Sequence, residues 1–176
     1  YGLDVADLLR SRITLDQLQG LEAPFRAEVM EYGGSVASLL RRGITLDQQQ
    51  GLPEVFRAEV MAHVYGVAAL LRVEVEPRIT LDQLQGLEES FRAEVMANED
   101  GVADLLRAGA ALDQLQGLEA PFRAEVMAHG RGVTELLDAG ITLEWLAWLS
   151  PEKRDAIIAN PSGWRATGLS LVSRSG

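Results

Sequence analysis

The chain has two histidines and no cysteine, which limits the metal and nucleophile chemistry open to it. A metal site needs several donor atoms around one ion, but His63 and His129 stand at equivalent positions in separate copies of a recurring sequence. No Ser/His/Asp set and no glycine-rich phosphate loop is recognisable. The carboxylates are expected on solvated helix faces. We therefore predict no metal, no cofactor, no small-molecule substrate and no catalytic residue, so the protein is predicted not to be an enzyme.

One stretch recurs along the chain and organises it. Residues 14–30 read Thr-Leu-Asp-Gln-Leu-Gln-Gly-Leu-Glu-Ala-Pro-Phe-Arg-Ala-Glu-Val-Met, and similar stretches begin at Thr45, Thr80 and Ala111. A looser copy begins at Thr142. The first two copies are 31 residues apart, a period typical of stacked helical units. We therefore predict an all-α fold, an α-solenoid of about five stacked 31-residue helical repeats.

The copies also predict the organisation of the chain. Residues 1–13 match the end of a copy and are interpreted as the end of a preceding repeat. Four tandem repeats follow, at residues 14–44, 45–79, 80–110 and 111–141. Residues 142–176 are a degenerate C-terminal capping repeat and tail, in which Trp145 and Trp148 replace Gln and Gly. The two tryptophans either fold the tail over the open end of the stack or form an aromatic pair that binds a ligand.

Each copy is predicted to form three short helices. Thr14 and Gln17 have the spacing of a capping box, Pro24 suits a first helical turn, and Gly43 suits a helix end. Gln49 replaces a recurring leucine, so the second copy is predicted to be the least stable. The predicted core consists of the following residues and their counterparts: Leu18, Leu21, Phe25, Val29, Met30, Leu39 and Leu40.

An arginine recurs in the second helix of every copy, beginning with Arg26. It is predicted either to form a ladder of ion pairs or to line a binding surface as a ligand stripe. The carboxylates assigned to the ladder are those of the first helices, namely Asp16, Asp47, Asp82, Asp113 and Glu144.

The copies differ most between the second and third helices. One such segment is His63-Val-Tyr-Gly66 and another is Asn98-Glu-Asp-Gly101. These differences fit either drift in exposed loops or a set of contacts that select a partner, with flanking glycines that let the partner approach the backbone. The candidate binding residues are Tyr32, His63, Tyr65, Asn98, Asp100, His129 and Arg131.

Each unit thus has a helix, a variable loop that often begins with His or Asn, a glycine, a further helix and a turn such as Gly43-Ile-Thr-Leu-Asp-Gln48. This order resembles the repeats of transcription-activator-like effectors over residues 14–140. The resemblance implies tandem α-helical repeats in which each loop reads one DNA base. That family has a longer repeat with a phosphate-contacting Gly-Gly-Lys-Gln segment, whereas the third copy here has Gly101-Val-Ala-Asp104, which is acidic where DNA requires cations.

The charge of the chain bears on its partner. The net charge of −10 favours a protein partner over DNA, because phosphate backbones are bound by clustered cations. The main hypothesis is a non-enzymatic scaffold for protein–protein interactions, within a larger bacterial protein. The alternatives are modular DNA recognition through the variable loops and a structural spacer. The oligomeric state is left open.

The composition also suggests a location. Lys153 is the single lysine among sixteen basic residues. This fits either the codon bias of a GC-rich genome or an effector that works inside a foreign cell and avoids lysine-directed ubiquitination. The sequence shows no secretory signal and no apolar run of about 18 residues. We therefore predict no membrane association, and a protein that is either cytoplasmic or secreted into a host cell.

Overall fold

The computed structural model describes residues 6, 8–11, 13–74 and 78–163. Within these ranges every regular element is helical and no strand occurs, so the predicted all-α class is confirmed. The helices are α1 (Leu15–Gly20), α2 (Ala23–Glu31), α3 (Gly33–Leu40), α4 (Leu46–Gln50), α5 (Glu54–Ala62), α6 (Val64–Leu70), α7 (Leu81–Gln85), α8 (Glu89–Ala97), α9 (Glu99–Arg107), α10 (Leu112–Gln116), α11 (Ala120–Ala128), α12 (Gly130–Asp138), α13 (Leu143–Ala147) and α14 (Pro151–Ala159).

The first helix of each of the first three copies begins at the predicted capping box. Before α1, the Gln17 amide donates to the Thr14 hydroxyl at 3.2 Å, and the Thr14 amide donates to the Gln17 Oε1 at 2.9 Å. The same reciprocal bonds precede α4 at Thr45 and α7 at Thr80. Ala111 has no hydroxyl, so before α10 only the bond from its own amide to the glutamine side chain remains. The capping box thus satisfies helix-start amides that have no partner inside the helix.

Glycines end helices at two recurring positions. Gly51 is the C-cap of α4, and a Cβ placed there would meet only carbonyl oxygens of that helix. The recurring glycine of the first helix therefore marks a helix end and not a close approach between copies. After the third helix, Gly43 and Gly109 adopt φ values of 84° and 90°, a conformation that glycine adopts without steric cost. Both glycines follow the ends of their helices, as predicted.

Residues 1–72 and 77–97 form one compact unit. In it α2 packs against α3 and α5 against α6, within their own copies, while α3 packs against α6 across the boundary between copies. The hydroxyl of Ser35, at the start of α3, donates to the carbonyl of Met61 in the following copy at 3.4 Å. The third helix of the first copy therefore lies against the second and third helices of the second.

Of the described residues, 73–74 and 98–163 form the other compact unit. In it α9 packs against both α11 and α12, and α12 packs against α14. This repeats the arrangement of the first unit, since a third helix again contacts helices of the copy that follows it.

Most of the predicted core is buried. In the first copy Leu18, Leu21, Phe25, Val29 and Leu39 are at most 6% exposed, and Leu40 is partly buried. Met30 is 40% exposed, so its predicted burial is wrong, although Met61, Met96 and Met127 are at most 4% exposed. Ser35 contacts the backbone of Met61. The residue one period before Ser35, residue 4, lies outside the described residues.

Two predictions concern places near the limits of the described chain. The second copy is four residues longer than the first, 35 against 31, through an insertion in residues 73–78 that is expected to form a loop. Residues 75–77 lie outside the described residues, and Val73 is 2% exposed. Trp148 is 85% exposed. One of the two predicted roles of the tryptophans is to fold the C-terminal tail over the open end of the stack, and residues 164–176 of that tail also lie outside the described residues.

Candidate binding site

The segments between the second and third helices are shorter than predicted. Tyr32, His63 and His129 are each the single residue between two helices, with φ near −110° and ψ near 30°, and Asn98 has the same place between α8 and α9. The remaining residues of each predicted loop belong to the first turn of the third helix. We call each of these single residues, together with the first helical turn after it, a corner.

The corner side chains are exposed but do not enclose a cavity. Tyr65 is 83% exposed, and the Arg131 side chain is 90% exposed. His63, Asp100 and His129 are also exposed, while Asn98 is partly buried and Tyr32 is 43% exposed. None of these residues lines any of the three grooves described below. The structure therefore places the predicted binding residues at helix corners, outside these three grooves.

Three corner glycines meet the backbone of a neighbouring copy, contrary to the expectation that they would admit a partner. A Cβ on Gly101 would lie 1.9 Å from the Met127 carbonyl oxygen, and one on Gly130 would lie 2.4 Å from the Gly101 Cα. A Cβ on Gly132 would lie 2.6 Å from the Ile158 carbonyl oxygen. Glycine is needed here because backbones of neighbouring copies meet.

The recurring arginine forms ion pairs, but with other carboxylates than predicted. The Arg57 Nε donates to Glu28 at 2.6 Å and its Nη2 at 2.9 Å. Arg92 pairs with Glu59 in the same way, at 2.7 and 3.3 Å. The predicted first-helix acids of these copies are not the partners; the carboxylate comes from the second helix of the copy before. The ion-pair reading of the ladder is therefore right, while its partners were wrong.

Each pair is part of a larger arrangement, which we call the arginine clamp: the arginine, the glutamate it binds and the phenylalanine beneath it. The Arg57 guanidinium lies 5.2 Å from the centre of the Phe25 ring, within the range of a cation–π contact. Its Nη1 also donates to the carbonyls of Gln50 and Leu52, at 3.3 and 3.0 Å. One side chain thus joins the end of its own first helix to the copy before it.

The same clamp recurs in the C-terminal unit. Arg154 lies 4.5 Å from the centre of the Phe122 ring and donates to Glu125 at 2.8 Å. Hydrogen bonding to the glutamate, partly offset by burial, raises the pKa of Arg57, Arg92 and Arg154 above the ordinary value. Because the folded arginine pKa exceeds the unfolded one, the stability linked to the arginine proton is present below the unfolded pKa and is lost as the pH rises through the folded pKa, in strongly alkaline solution.

Arg26 of the first copy differs from the clamp arginines. Its Nη2 donates to the carbonyls of Gln19 and Leu21, at 2.9 and 2.6 Å. Its Nε is buried and has no hydrogen-bond partner in the described part of the chain. Arg26 therefore bonds to the end of the first helix, as the clamp arginines do, but without binding a glutamate.

The concave sites of the described residues lie between first helices of neighbouring copies. Groove A has a volume of about 620 Å³ and lies between the first and second copies. Groove B, about 560 Å³, lies between the second and third copies, and groove C, about 220 Å³, between the fourth and fifth. Grooves A and B belong to the first unit and groove C to the second.

The three grooves are lined by equivalent residues. Five positions are occupied in all of them: a glutamine of the earlier copy, a leucine of its third helix, and the threonine, leucine and acid that begin the next first helix. These residues are Gln17, Leu40, Thr45, Leu46 and Asp47 in groove A, Gln48, Leu71, Thr80, Leu81 and Asp82 in groove B, and Gln114, Leu137, Thr142, Leu143 and Glu144 in groove C.

The glutamines present a hydrogen-bond donor to the grooves. The Oε1 atoms of Gln17, Gln48 and Gln114 each accept the backbone amide at the start of their own helix, at 2.9–3.0 Å. The Nε2 atoms of these glutamines form no hydrogen bond within the described ranges. A groove can therefore offer an amide donor, a carboxylate and an aliphatic surface to one ligand.

No other feature of the described residues indicates a catalytic or metal site. No group of three or more His, Asp or Glu side chains is placed to hold a metal ion in this part of the chain. Among the same residues, no helix has the length and apolar character needed to span a membrane.

No protein family, no curated protein and no solved structure matches the chain.

Sequence reasoning missed the grooves because it assigned the first helix to capping and to the core. The sequence did contain a sign of a shared surface. Gln17 and Asp47 are polar and exposed, and they recur with the period of the copies although an apolar core needs neither of them. Recurrence alone did not indicate that the glutamine of one copy and the acid of the next line the same cavity.

Proposed function

We propose that this chain is a non-enzymatic α-solenoid of about five stacked 31-residue repeats that acts as a scaffold for protein–protein interaction. The observation that carries the proposal is the recurrence of one groove with the same five lining positions. A surface that repeats at a regular interval suits an extended partner, because successive parts of that partner meet the same chemistry.

The lining favours a polypeptide as the partner. Its glutamine amides match backbone carbonyls, its leucines match aliphatic side chains, and its acids match lysine or arginine. Nucleic acid is disfavoured, since each groove holds a carboxylate and the chain carries a net charge of −10. Phosphate binding requires the opposite sign.

The corner residues remain a second predicted contact region within this proposal. Tyr65 and Arg131 are the most exposed of them, and they differ between copies. In this proposal the grooves hold the partner, because concave surfaces bury more of a ligand. The corner side chains make additional contacts with the same partner.

The test of the binding surface is a selection from a display library of random unstructured peptides about 12 residues long, with the whole chain as bait. An enriched peptide is synthesised, and its binding is followed through backbone amide NMR shifts. We expect shifts at Gln17, Asp47 and Asp82 and none at Tyr65 or Arg131. Shifts confined to the corners would move the binding surface there.

Two further outcomes would replace the proposal. If no peptide is enriched, the chain is a spacer without a ligand of its own. If a duplex DNA oligonucleotide binds instead, and its affinity falls steeply between about 50 and 200 mM salt as phosphate contacts require, the DNA hypothesis is correct. A peptide-binding scaffold keeps its ligand in the presence of excess duplex.

The solenoid is tested separately by small-angle X-ray scattering. Five units with helix axes about 8–10 Å apart form an array roughly 40–50 Å long. A scattering profile of a compact sphere would contradict the stacked arrangement and leave the all-α class intact.

A further inference from the structure

Grooves A and B each contain a second glutamine, which belongs to the later of the two copies. Groove A is lined by Gln50 as well as Gln17, and groove B by Gln85 as well as Gln48. In groove C the later copy has Ala147 at this position, and Ala147 does not line the groove. The lining of grooves A and B therefore holds two side-chain amides each, whereas that of groove C holds one.

The side-chain amides of Gln50 and Gln85 are available to a ligand. Both residues are partly buried, and neither side chain forms a hydrogen bond with a described residue. Their backbone carbonyls accept from the clamp arginines, from the Arg57 Nη1 at 3.3 Å and from the Arg92 Nη1 at 3.2 Å. The clamp therefore holds the end of the helix that carries each unbonded amide.

A side-chain amide has the hydrogen-bonding groups of a peptide group. The carboxamide of glutamine offers a carbonyl acceptor and two N–H donors in one plane, and residues of paired strands join through the same two kinds of group. Gln50 can thus accept from the N–H and donate to the C=O of one residue in an extended chain. Gln17 offers a donor, since its Oε1 already accepts the Thr14 amide.

The repetition of this pair of amides in adjacent grooves indicates what a ligand must offer. A ligand that crosses grooves A and B meets the same amides twice, at the interval of the copies, so it must present the same polar groups twice. In a polypeptide the peptide group is the one polar group that recurs whatever the sequence.

We infer that Gln50 and Gln85 bind the main chain of an extended peptide, so that grooves A and B hold the peptide with little dependence on its side chains. Main-chain hydrogen bonds supply affinity in the same way when a peptide adds to the edge of a sheet. This inference rests on the proposed peptide-binding function and names the atoms of the partner that are recognised.

The test uses a fluorescein-labelled nonapeptide of alternating Ser and Leu, a pattern that suits an extended chain. In one analogue esters replace the amides of all leucines, and in another those of all serines, so each analogue lacks about half of the N–H donors. In a third analogue isoleucine replaces leucine, which changes the side chains and keeps every amide. Binding to the whole chain is measured by fluorescence anisotropy, and its location by backbone amide NMR shifts.

The analogues distinguish the main chain from the side chains. We expect at least one ester analogue to bind about tenfold more weakly than the parent peptide, since two hydrogen bonds, each contributing a factor of about two to ten, are lost. The isoleucine analogue should bind within about threefold of the parent, because it keeps those bonds. We expect NMR shifts at Gln50 and Gln85, and smaller ones at Gln114 in groove C.

The protein variant Gln50→Ala gives groove A the residue of the fifth copy. We expect it to weaken the parent peptide by about two- to tenfold and to leave the weaker ester analogue nearly unaffected, because the bond that the variant removes is already absent there. Gln85→Ala tests groove B in the same way. Gln19→Ala is the matched control, because Gln19 is the counterpart of Gln50 in the first copy, is exposed and lines none of the three grooves. It should leave every affinity unchanged.

The outcomes separate this inference from the function on which it rests. Equal affinities of the parent and both ester analogues, with shifts at groove residues, would overturn main-chain recognition and leave the scaffold in place. Unchanged affinity in both Gln50→Ala and Gln85→Ala would do the same. Absence of binding by every analogue at millimolar concentration would also overturn the inference, since a main-chain site does not depend on sequence, and the scaffold would then be decided by the display selection. Shifts confined to residues outside the grooves would overturn both.

Discussion

At the scale of the residue, Gln49 is the clearest weakness in the core. It is fully buried where the four other copies have leucine. Its Nε2 donates to the Ile44 carbonyl at 3.0 Å, but its Oε1 is buried without a partner. A buried, unsatisfied polar atom costs about 1–3 kcal/mol. We therefore expect Gln49→Leu to raise the free energy of unfolding by about 1–2 kcal/mol, measured by urea denaturation.

The reverse change in the neighbouring copy is the control. Leu84 is the counterpart of Gln49 and is fully buried, so Leu84→Gln should lower stability by a similar or larger amount. If Gln49→Leu destabilised the chain instead, the bond to the Ile44 carbonyl would outweigh the unsatisfied oxygen.

The arginine clamp gives a second prediction, which compares two arginines at equivalent positions. Arg57 binds Glu28 through two nitrogen atoms and lies over the Phe25 ring. Lysine has neither the paired donors nor the flat cation. Arg57→Lys should lower the free energy of unfolding by about 2 kcal/mol, the order of a charged hydrogen bond. Arg26→Lys, which removes no carboxylate contact, should cost clearly less. Equal losses would show that the glutamate contributes little.

A third prediction concerns the close contact between the backbones of neighbouring copies at Gly101. Gly101→Ala would place a methyl group 1.9 Å from the Met127 carbonyl oxygen, so a helix must shift. Overpacking of this kind costs about 1–3 kcal/mol or more. Gly34 lies in the corner of the first copy, one position before the counterpart of Gly101. A Cβ added to Gly34 would have no atom within 4 Å. Gly34→Ala should therefore stabilise by about 0.5–1 kcal/mol. Thermal unfolding of the two variants distinguishes these signs.

At the scale of the element, the corners are separate from the grooves. Exchanging Asn98–Asp100 for His-Gly-Arg, the sequence of the fourth copy's corner, alters exposed groups and leaves Gly101 in place. We expect peptides that bind grooves A and B to keep their affinity within about twofold, since none of the three exchanged residues lines either groove. Isothermal titration calorimetry measures this. A large loss would assign the corners to the same binding surface.

Local features of each element were predictable from the sequence, since they depend on few neighbouring residues. The capping box at Thr14 and the left-handed Gly43 are both set by the chemistry of a single turn. The partner of Arg57 was not predictable. Asp47 and Glu28 recur with the same period, so recurrence could not choose between a carboxylate in the same copy and one in the copy before. That choice is made by packing between copies.

The corner segments and grooves were missed for the same reason. The sequence suggested that Gly101 and Gly130 are exposed loop residues. In the structure their backbones contact each other, in the space that a side chain would need. Similarly, Gln17 and Asp47 are 30 residues apart in the sequence and line one groove only because two first helices lie side by side. The order of helices follows from local chemistry, and the surfaces follow from how the copies meet.

At the scale of the whole molecule, the clamp makes copies exchangeable. Deletion of residues 45–79 removes one copy and brings Arg92 into register with Glu28 and Phe25, the same residue types it contacts now. We expect the shortened chain to fold and to unfold cooperatively, as followed by circular dichroism. Deletion of residues 45–62, which removes α4 and α5 but leaves α6, is the control and should abolish cooperative unfolding. Failure of both deletions would mean that copies are not equivalent.

The clamp also has a consequence for how such a gene changes length. Each described clamp uses a Phe and a Glu of one copy and an Arg of the next, so a duplication or loss of a whole copy at such a junction is expected to bring the same three residue types together. The fifth copy has Lys153 and Ala156 at the Phe and Glu positions, so a copy added after it would find neither. We therefore expect the chain to tolerate the gain or loss of a copy where a clamp forms, whereas a copy placed after the fifth would form no clamp with it.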